Sequence, residues 1–403
     1  MIRFIHAADL HLDTPFHGLQ EISEDLAKVM REAPFQSLRK IIDQAIKEEV
    51  DFVLFSGDLY NTQKINIKAQ SIFINELNRL KQEKIPVFLI RGNHDFITEE
   101  TKKLTLQLPD NVYLYSEEVE THVITSKRNK KIAVSAFSYE SQWVYERKIK
   151  EYPERFQAVD MHIGMLHGAI EHSENSSSNY APFSLSELKE KDYDYWGLGH
   201  IHQRQKVANH PMVLYPGNIQ GLHKNEKGEK GCLLVEWSSQ TFNIKFIPTA
   251  AVIWEEIKVH LKDLSDINQF IHRIKQQLIE KDFTENYLIH LIVKVHPEDD
   301  EKLIELLRKK SFIMDLTNQL NFKNLWITDI ELIVKKESKS RNLENLYPKE
   351  WSNAVNQTKE REKFSDITEA ILKNIPNKYL TEQNLSNYRE RMIEKAISKI
   401  YLR

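Results

Sequence analysis

Five polar clusters punctuate the first half of the chain: Asp9-x-His11, Asp58, Asn93-His94-Asp95, His167 and His200-x-His202. Carboxylate, imidazole and neutral amide oxygen are the donor set of hard to intermediate divalent cations such as Mn²⁺, Fe²⁺ or Zn²⁺. The chain's one cysteine, Cys232, disfavours a structural zinc site. Six or seven donors are too many for one open catalytic zinc. They suit two ions that share a carboxylate, a pair able to clamp phosphoester oxygens and to generate a hydroxide nucleophile. The chemistry such a set points to is phosphoester hydrolysis. Its leaving alkoxide needs a proton, which a histidine outside the ligand set can give.

Each cluster sits at or just after an apolar run: IRFIHA, DFVLFSG, PVFLIRG, DMHIGMLHG and YDYWGLGH read as strands, with VYLY and KIAVSAF between them. Helical spacing of Phe35, Leu38, Ile41, Ile42, Ala45 and Ile46 predicts a helix between the first two runs, and IFINELNRLKQEK predicts another before the third. Strands separated by helices predict a layered α/β domain. In open α/β sheets ligands gather outside the carboxyl ends of strands, where these clusters fall. If the D-x-H and H-x-H pairs lie on extended chain, their side chains point to one side, because strand side chains alternate with period two. Gly57, Gly92, Gly168 and Gly199 permit tight turns there. Alone, Gly-Asp at a strand end is often only a turn, and the isolated His6, His122, His210, His260 and His290 read as core or surface residues. The ordered combination carries the metal-site reading.

A length of 403 residues predicts two or three domains. Hydrophobic and charged fractions of 41% and 29% are globular values and exclude global disorder. With 56 basic and 59 acidic residues the net charge of −3 gives no global attraction for nucleic acid, while leaving room for a local basic groove. Cys232, in KGCLLVEW, reads as a buried thiol without an intramolecular disulfide, which fits a reducing compartment. His6 and Asp9 interrupt the only apolar start, and no run approaches the ~18 apolar residues of a membrane span. A cytoplasmic protein with no membrane association is expected. Short strands QRQKVA, MVLYPG, KGCLLVEW and TFNIKFI extend the first domain to about residue 250. A β-α-β-α-β unit over 251–337 reads as a small α+β domain, and 338–403 as amphipathic helices.

The motifs ADLHLD, SGDLYN, RGNHDF, LHGAI and GLGHIHQ, in this order, resemble those of the calcineurin-like metallophosphoesterase superfamily. Within it, HAADLHLD, LYPGNIQGLHKNEKGEKGCLLVE and the α+β unit resemble SbcD-type nuclease subunits of DNA double-strand-break repair complexes, and most of all the YhaO-like repair exonucleases. The resemblance runs from residue 1 to about 335; the tail matches only in being helical. It implies an α/β sandwich of two mixed sheets flanked by helices, with a capping domain over 251–337 that helps to position DNA. It further implies that Asp9, His11, Asp58 and His202 hold one metal and that Asp58, Asn93, His167 and His200 hold the other, both manganese by family habit. Asp58 is then the bridge, His94 the proton donor, and Asp95 a support of the turn. The helical tail would dock on an SMC-like coiled-coil ATPase, and a homodimer stays open.

One position departs from the pattern. Relatives commonly carry Asp or His three residues after the bridging carboxylate, near the catalytic histidine, and this chain has Asn61. An amide can orient an imidazole but adds no negative charge to favour its protonated form. Either the acid step or the substrate preference differs, or the position tolerates variation. The expected activity is a DNA phosphodiesterase of repair, a 3′ to 5′ exonuclease with some endonuclease activity. Two alternatives stand beside it: a small-molecule phosphodiesterase or phosphatase, and a DNA-end-binding scaffold protein with residual nuclease activity.

Overall fold

Runs such as FVLFS and MHIGMLH have no polar face, so both of their faces must be covered. The computed structural model, which describes residues 1–16, 24–61, 66–96, 98, 107–171, 180–261, 266–279, 285–295, 301–334, 347–359 and 392–393, covers them with two packed sheets and outer helices. The first sheet comprises β1 (Ile2–Ala7), β2 (Phe52–Ser56), β3 (Val87–Ile90), β4 (Val112–Leu114), β11 (Gly231–Ser238) and β12 (Thr241–Pro248), in the order β12-β11-β1-β2-β3-β4. The second comprises β5 (Glu120–Thr125), β6 (Lys131–Ala136), β7 (Met161–His167), β8 (Tyr195–Gly199), β9 (Gln205–Asn209) and β10 (Met212–Tyr215), in the order β5-β6-β7-β8-β10-β9. Both are mixed: the central strands β1-β2-β3 and β6-β7-β8 run parallel, while β11 and β5 join antiparallel.

Alternation along β2 builds two cores at once. Phe52 and Leu54 face the second sheet, packing with Ile132, Val134, Met161, Ile163 and Tyr195. Val53 and Phe55 face outward under α1 (Glu24–Lys47) and α2 (Ile67–Gln82), whose Leu38, Ile41, Phe73 and Leu77 close that layer. On the outer face of the second sheet Leu166, Trp196 and Val213 are covered by Leu188 of the short α3 (Leu185–Glu190) and by Ile149 in a 3₁₀ turn. The result is an α/β sandwich of two mixed sheets flanked by helices. Parallel strands in both sheets bring their carboxyl ends to one edge, and the polar clusters lie at those ends.

The chain divides into two compact units. One is Met1–Glu255 with Phe283–Ile289 and Lys323–Thr328; the other is Glu256–Asp282, His290–Phe322 and Asp329–Arg403. In the first unit a satellite core joins Leu26, Met30 and Ala33 of α1 to Val252, Trp254 and Leu288. A three-stranded sheet takes the order β13-β14-β15, from β13 (Val252–His260), β14 (Asn286–Val295) and β15 (Leu325–Val334). In the second unit α4 (Ile267–Ile279) buries Phe270, Ile274 and Leu278 at a four-residue spacing. The helices α5 (Glu301–Leu307) and α6 (Lys310–Leu320) follow it. The tail contributes α7 (Pro348–Lys359); the segment SDITEAILKNI and nearly all of NYRERMIEKAISKIYL lie outside the described residues. Among the described residues no helix is long and apolar enough to cross a membrane.

Candidate metal centre

The strand ends converge through bonds between their own turns. After β1 and β2 the chain continues as paired backbone: Asp9 N–H donates to Gly57 O and His11 N–H to Asp58 O, each at 3.0 Å. Asp9, His11, Asp58 and His200 have φ of 53°, 44°, 49° and 97°, a region that residues with a Cβ mostly avoid. This corrects the alternation argument for the D-x-H and H-x-H pairs. The chain is not extended at these positions, so the side chains converge through left-handed backbone rather than through a period of two. Such strain persists where surrounding bonds over-determine it. A Cβ on Gly92 would collide with Asp58 Oδ1 and one on Gly199 with the carbonyl oxygen of Ser56, so a side chain at either position displaces the site's own atoms.

All seven expected ligand residues come together. Asp9, His11 and His202 offer donor atoms within 4.8 Å of one another, and so do Asp9, Asp58 and His167. Asp58 Oδ2 lies 3.3 Å from His167 Nε2 and 3.8 Å from His11 Nε2, between the two groups. Asn93 Oδ1 lies 3.0 Å from His167 Nε2 and 3.1 Å from His200 Nδ1, and the backbone N–H of His200 donates to Asp9 at 2.9 Å. Asp9, His11, Asp58, Asn93 and His167 are buried. His94 alone is exposed, with its backbone N–H on Asp58 Oδ1 at 2.9 Å and its ring edge-on to His11 at 5.1 Å.

Its Nδ1 donates to the main-chain carbonyl of Asn61 at 3.1 Å. The bond to this histidine therefore comes from the backbone of residue 61 and not from the side-chain amide that sets this chain apart. Asp95 accepts from the backbone N–H groups of Gly92 (2.8 Å) and Leu59 (2.9 Å), joining two of the turns. Burial and the neighbouring Asp58 raise its carboxyl to about 7.

Electrostatics within the cluster follow from burial set against close opposite charge. Burial lowers His11 and His200 to about 3 and raises Asp9. Burial alone would also raise Asp58, but His167, His11 and His94 hold it well below the usual carboxylate range. For His167, burial acts downward and is overcome by Asp58 and Asp9, which lift it to about 9. Burial also opposes the charge on His202, yet Glu226 and Asp9 raise it. The close carboxylates thus favour protonation of His167 and His202, and a divalent cation competes with that proton for their nitrogens.

The residues fit such a cation. His11 Nδ1 is buried without a hydrogen-bond partner, and His11 Nε2 faces His202 Nε2 at 3.1 Å, a separation at which only one of the two can carry a hydrogen. His167 Nδ1 is held by the Ser56 carbonyl at 2.9 Å, which leaves Nε2 as its ligand atom.

The sequence model of the calcineurin-like phosphoesterases matches residues 2–204, from β1 through the last histidine of the centre. The chain belongs to that family. It is 36% identical over 276 residues to the uncharacterized metallophosphoesterase YhaO of Bacillus subtilis, covering 68% of this chain and 67% of that protein. It is 24% identical over 285 residues to the DNA double-strand break repair protein Mre11 of Methanocaldococcus jannaschii, covering 68% and 73%. Against a subunit of the nuclease SbcCD of Staphylococcus saprophyticus identity is 23% over 376 residues, covering 86% and 92%.

As a metallophosphoesterase the chain has a divalent metal centre and hydrolyses phosphoesters. Sequence reasoning passed over Glu226, whose Oε1 accepts from His202 Nδ1 at 2.6 Å. One more charge in the polar stretch HKNEKGEKG gives no local signal of that contact. The isolated His6 is a core residue as read, buried between Tyr195 Oη (2.8 Å) and Ser56 Oγ (3.1 Å).

Proposed function

We propose that this metallophosphoesterase is a two-metal DNA phosphodiesterase of repair, a 3′ to 5′ exonuclease with some endonuclease activity. The observation that carries the reading is the convergence of seven donors, five of them buried, with one exposed imidazole, His94, beside them. Asp9, His11, Asp58 and His202 would hold one ion; Asp58, Asn93, His167 and His200 would hold the second. The place of Asp58 Oδ2 between His11 and His167 supports its role as the shared carboxylate. When bound, manganese ions would clamp the phosphoester oxygens and lower the pKa of the attacking water.

The chain's own residues do the rest. Asn93 and the two held histidines fix the donor directions. His94 supplies the leaving-group proton: with Nδ1–H on the Asn61 carbonyl, Nε2 is the nitrogen left to meet the departing oxygen. The choice of DNA is supported by the similarity to proteins named for break repair and for SbcCD nuclease, and by the presence of a second compact unit. On this reading 251–337 caps the site, 338–403 docks on an SMC-like coiled-coil ATPase, and the complex works in the cytoplasm, with a homodimer compatible.

The test compares labelled duplex DNA with bis-p-nitrophenyl phosphate and nucleotides, each with Mn²⁺. Preferred degradation of DNA is expected; a strong preference for the small esters overturns the nuclease reading. His94→Ala is expected to retain Mn²⁺ and lose about 10²- to 10⁴-fold in turnover. An active variant removes His94 from the acid role.

A further inference from the structure

Glu226 lies beyond the segment matched by the family model, yet its carboxylate, outside the ligand set, bonds directly to a member of the centre. His202 needs such a contact. Its side chain is 29% exposed while those of His11 and His167 are essentially buried, so packing alone does not fix its ring. We infer that Glu226 is the positioning residue of the centre, holding His202 Nδ1 so that Nε2 is presented to the metal beside His11 and Asp9. The inference rests on the metal-site reading above and deepens it.

Three independent features place Glu226 in that role. First, the bond is short and charge-assisted, 2.6 Å from Oε1 to Nδ1, while Nε2 of the same ring faces His11 Nε2 at 3.1 Å. Second, the carboxylate is itself immobilised. Its Oε2 accepts from Asn218 Nδ2 and from the backbone N–H of Leu222, both at 2.7 Å, and it is 9% exposed. His223 Nε2 approaches Oε1 at 3.4 Å from the exposed side.

Third, the same loop grips the backbone of His202. The carbonyl of His202 accepts from Asn218 N–H at 3.3 Å and from Lys230 Nζ at 3.0 Å. Gly217, at φ +78°, brings its chain so close to that carbonyl that a Cβ would stand 2.8 Å from it. Ring and main chain of one ligand are thus held by a single stretch, 217–230. His167 shows the contrast: its Nδ1 is held by a neutral carbonyl, whereas His202 is held by a carboxylate, which makes the imidazole a stronger donor.

The experiment titrates the full chain with Mn²⁺ alone, by calorimetry and by the loss of the free-ion electron paramagnetic resonance signal. Glu226→Gln keeps the size of the side chain but loses its charge, and sets an N–H₂ against the donors at Asn218 and Leu222 or against His202. Wild type is expected to bind two ions. The variant is expected to bind one as before and the other about 10- to 100-fold more weakly, at a temperature where circular dichroism shows it folded.

Unchanged affinities at both sites overturn the inference. So does equal weakening of both sites with a lowered melting temperature, which is the signature of a loop fastener. A wild-type chain that binds no Mn²⁺ overturns the metal-site reading beneath it. If circular dichroism shows Glu226→Gln unfolded, Glu226→Ala, which removes the carboxylate without setting an amide against the donors, is titrated in its place against the same criteria.

Discussion

At the scale of single residues, the difference at position 61 has changed character. The carbonyl that holds His94 belongs to the backbone, so the identity of the side chain is not what makes the bond. Asn61→Ala is therefore expected to keep phosphoester hydrolysis far closer to wild type than to His94→Ala, with the same pH profile; a collapse of rate would return the role to the amide. Residue type was readable in the sequence because five clusters of carboxylate, imidazole and amide donors recur at the ends of apolar runs. Partners were not. A main-chain acceptor such as Asn61 O or Ser56 O is common to every residue, and Glu226 is one charge among several in a polar loop. The left-handed φ of Asp9 and His11 was equally hidden, because nothing in D-x-H separates an extended pair from a coiled one.

At the scale of elements, the close approach of the two sheets is what assembles the centre. Gly199 ends β8 against the carbonyl of Ser56 at the end of β2, and that carbonyl is also the acceptor for His167 Nδ1. A methyl group at 199 forces the two strand ends apart. Gly199→Ala is expected to cost about 1–3 kcal/mol of stability, read from denaturant midpoints, and to weaken Mn²⁺ binding as well. Stability lost with metal affinity intact would separate the sheet contact from the site. Strands such as β2 and β7 were readable because both faces are buried and the runs are apolar throughout. The strand β5 was not. It is an edge strand with Glu120, Thr121 and His122 only half buried, so its residues carry no alternating signal.

At the scale of the whole molecule, the composition shift near residue 250 marks where the sandwich strands end, but the first compact unit does not end there. It runs to Glu255 and takes in Phe283–Ile289 and Lys323–Thr328 from later in the chain. Discontinuity of this kind leaves no trace in local periodicity, because each strand looks the same whichever unit its two halves join. Its energetic weight is concentrated on α1. Leu26, Met30 and Ala33 are covered by Val252, Trp254 and Leu288. Gln220, itself buried, accepts from the backbone N–H groups of Ala251 (3.0 Å) and Val252 (3.2 Å) while donating to Val252 O at 2.6 Å. Trp254 Nε1 donates to Gly221 O at 3.1 Å. A chain cut after residue 250 loses these groups and uncovers the amino-terminal half of α1. At ~1.5–3 kcal/mol for each large apolar side chain returned to water, uncovering Leu26 and Met30 costs roughly 3–6 kcal/mol. Gln220 and Gly221 share the loop of Glu226, so the damage is expected to reach His202. Such a truncation should melt well below the full chain, exchange its amides fastest in the first turns of α1, and bind Mn²⁺ more weakly. A truncated protein with full stability and undiminished Mn²⁺ binding would show that these later segments are dispensable to the sandwich.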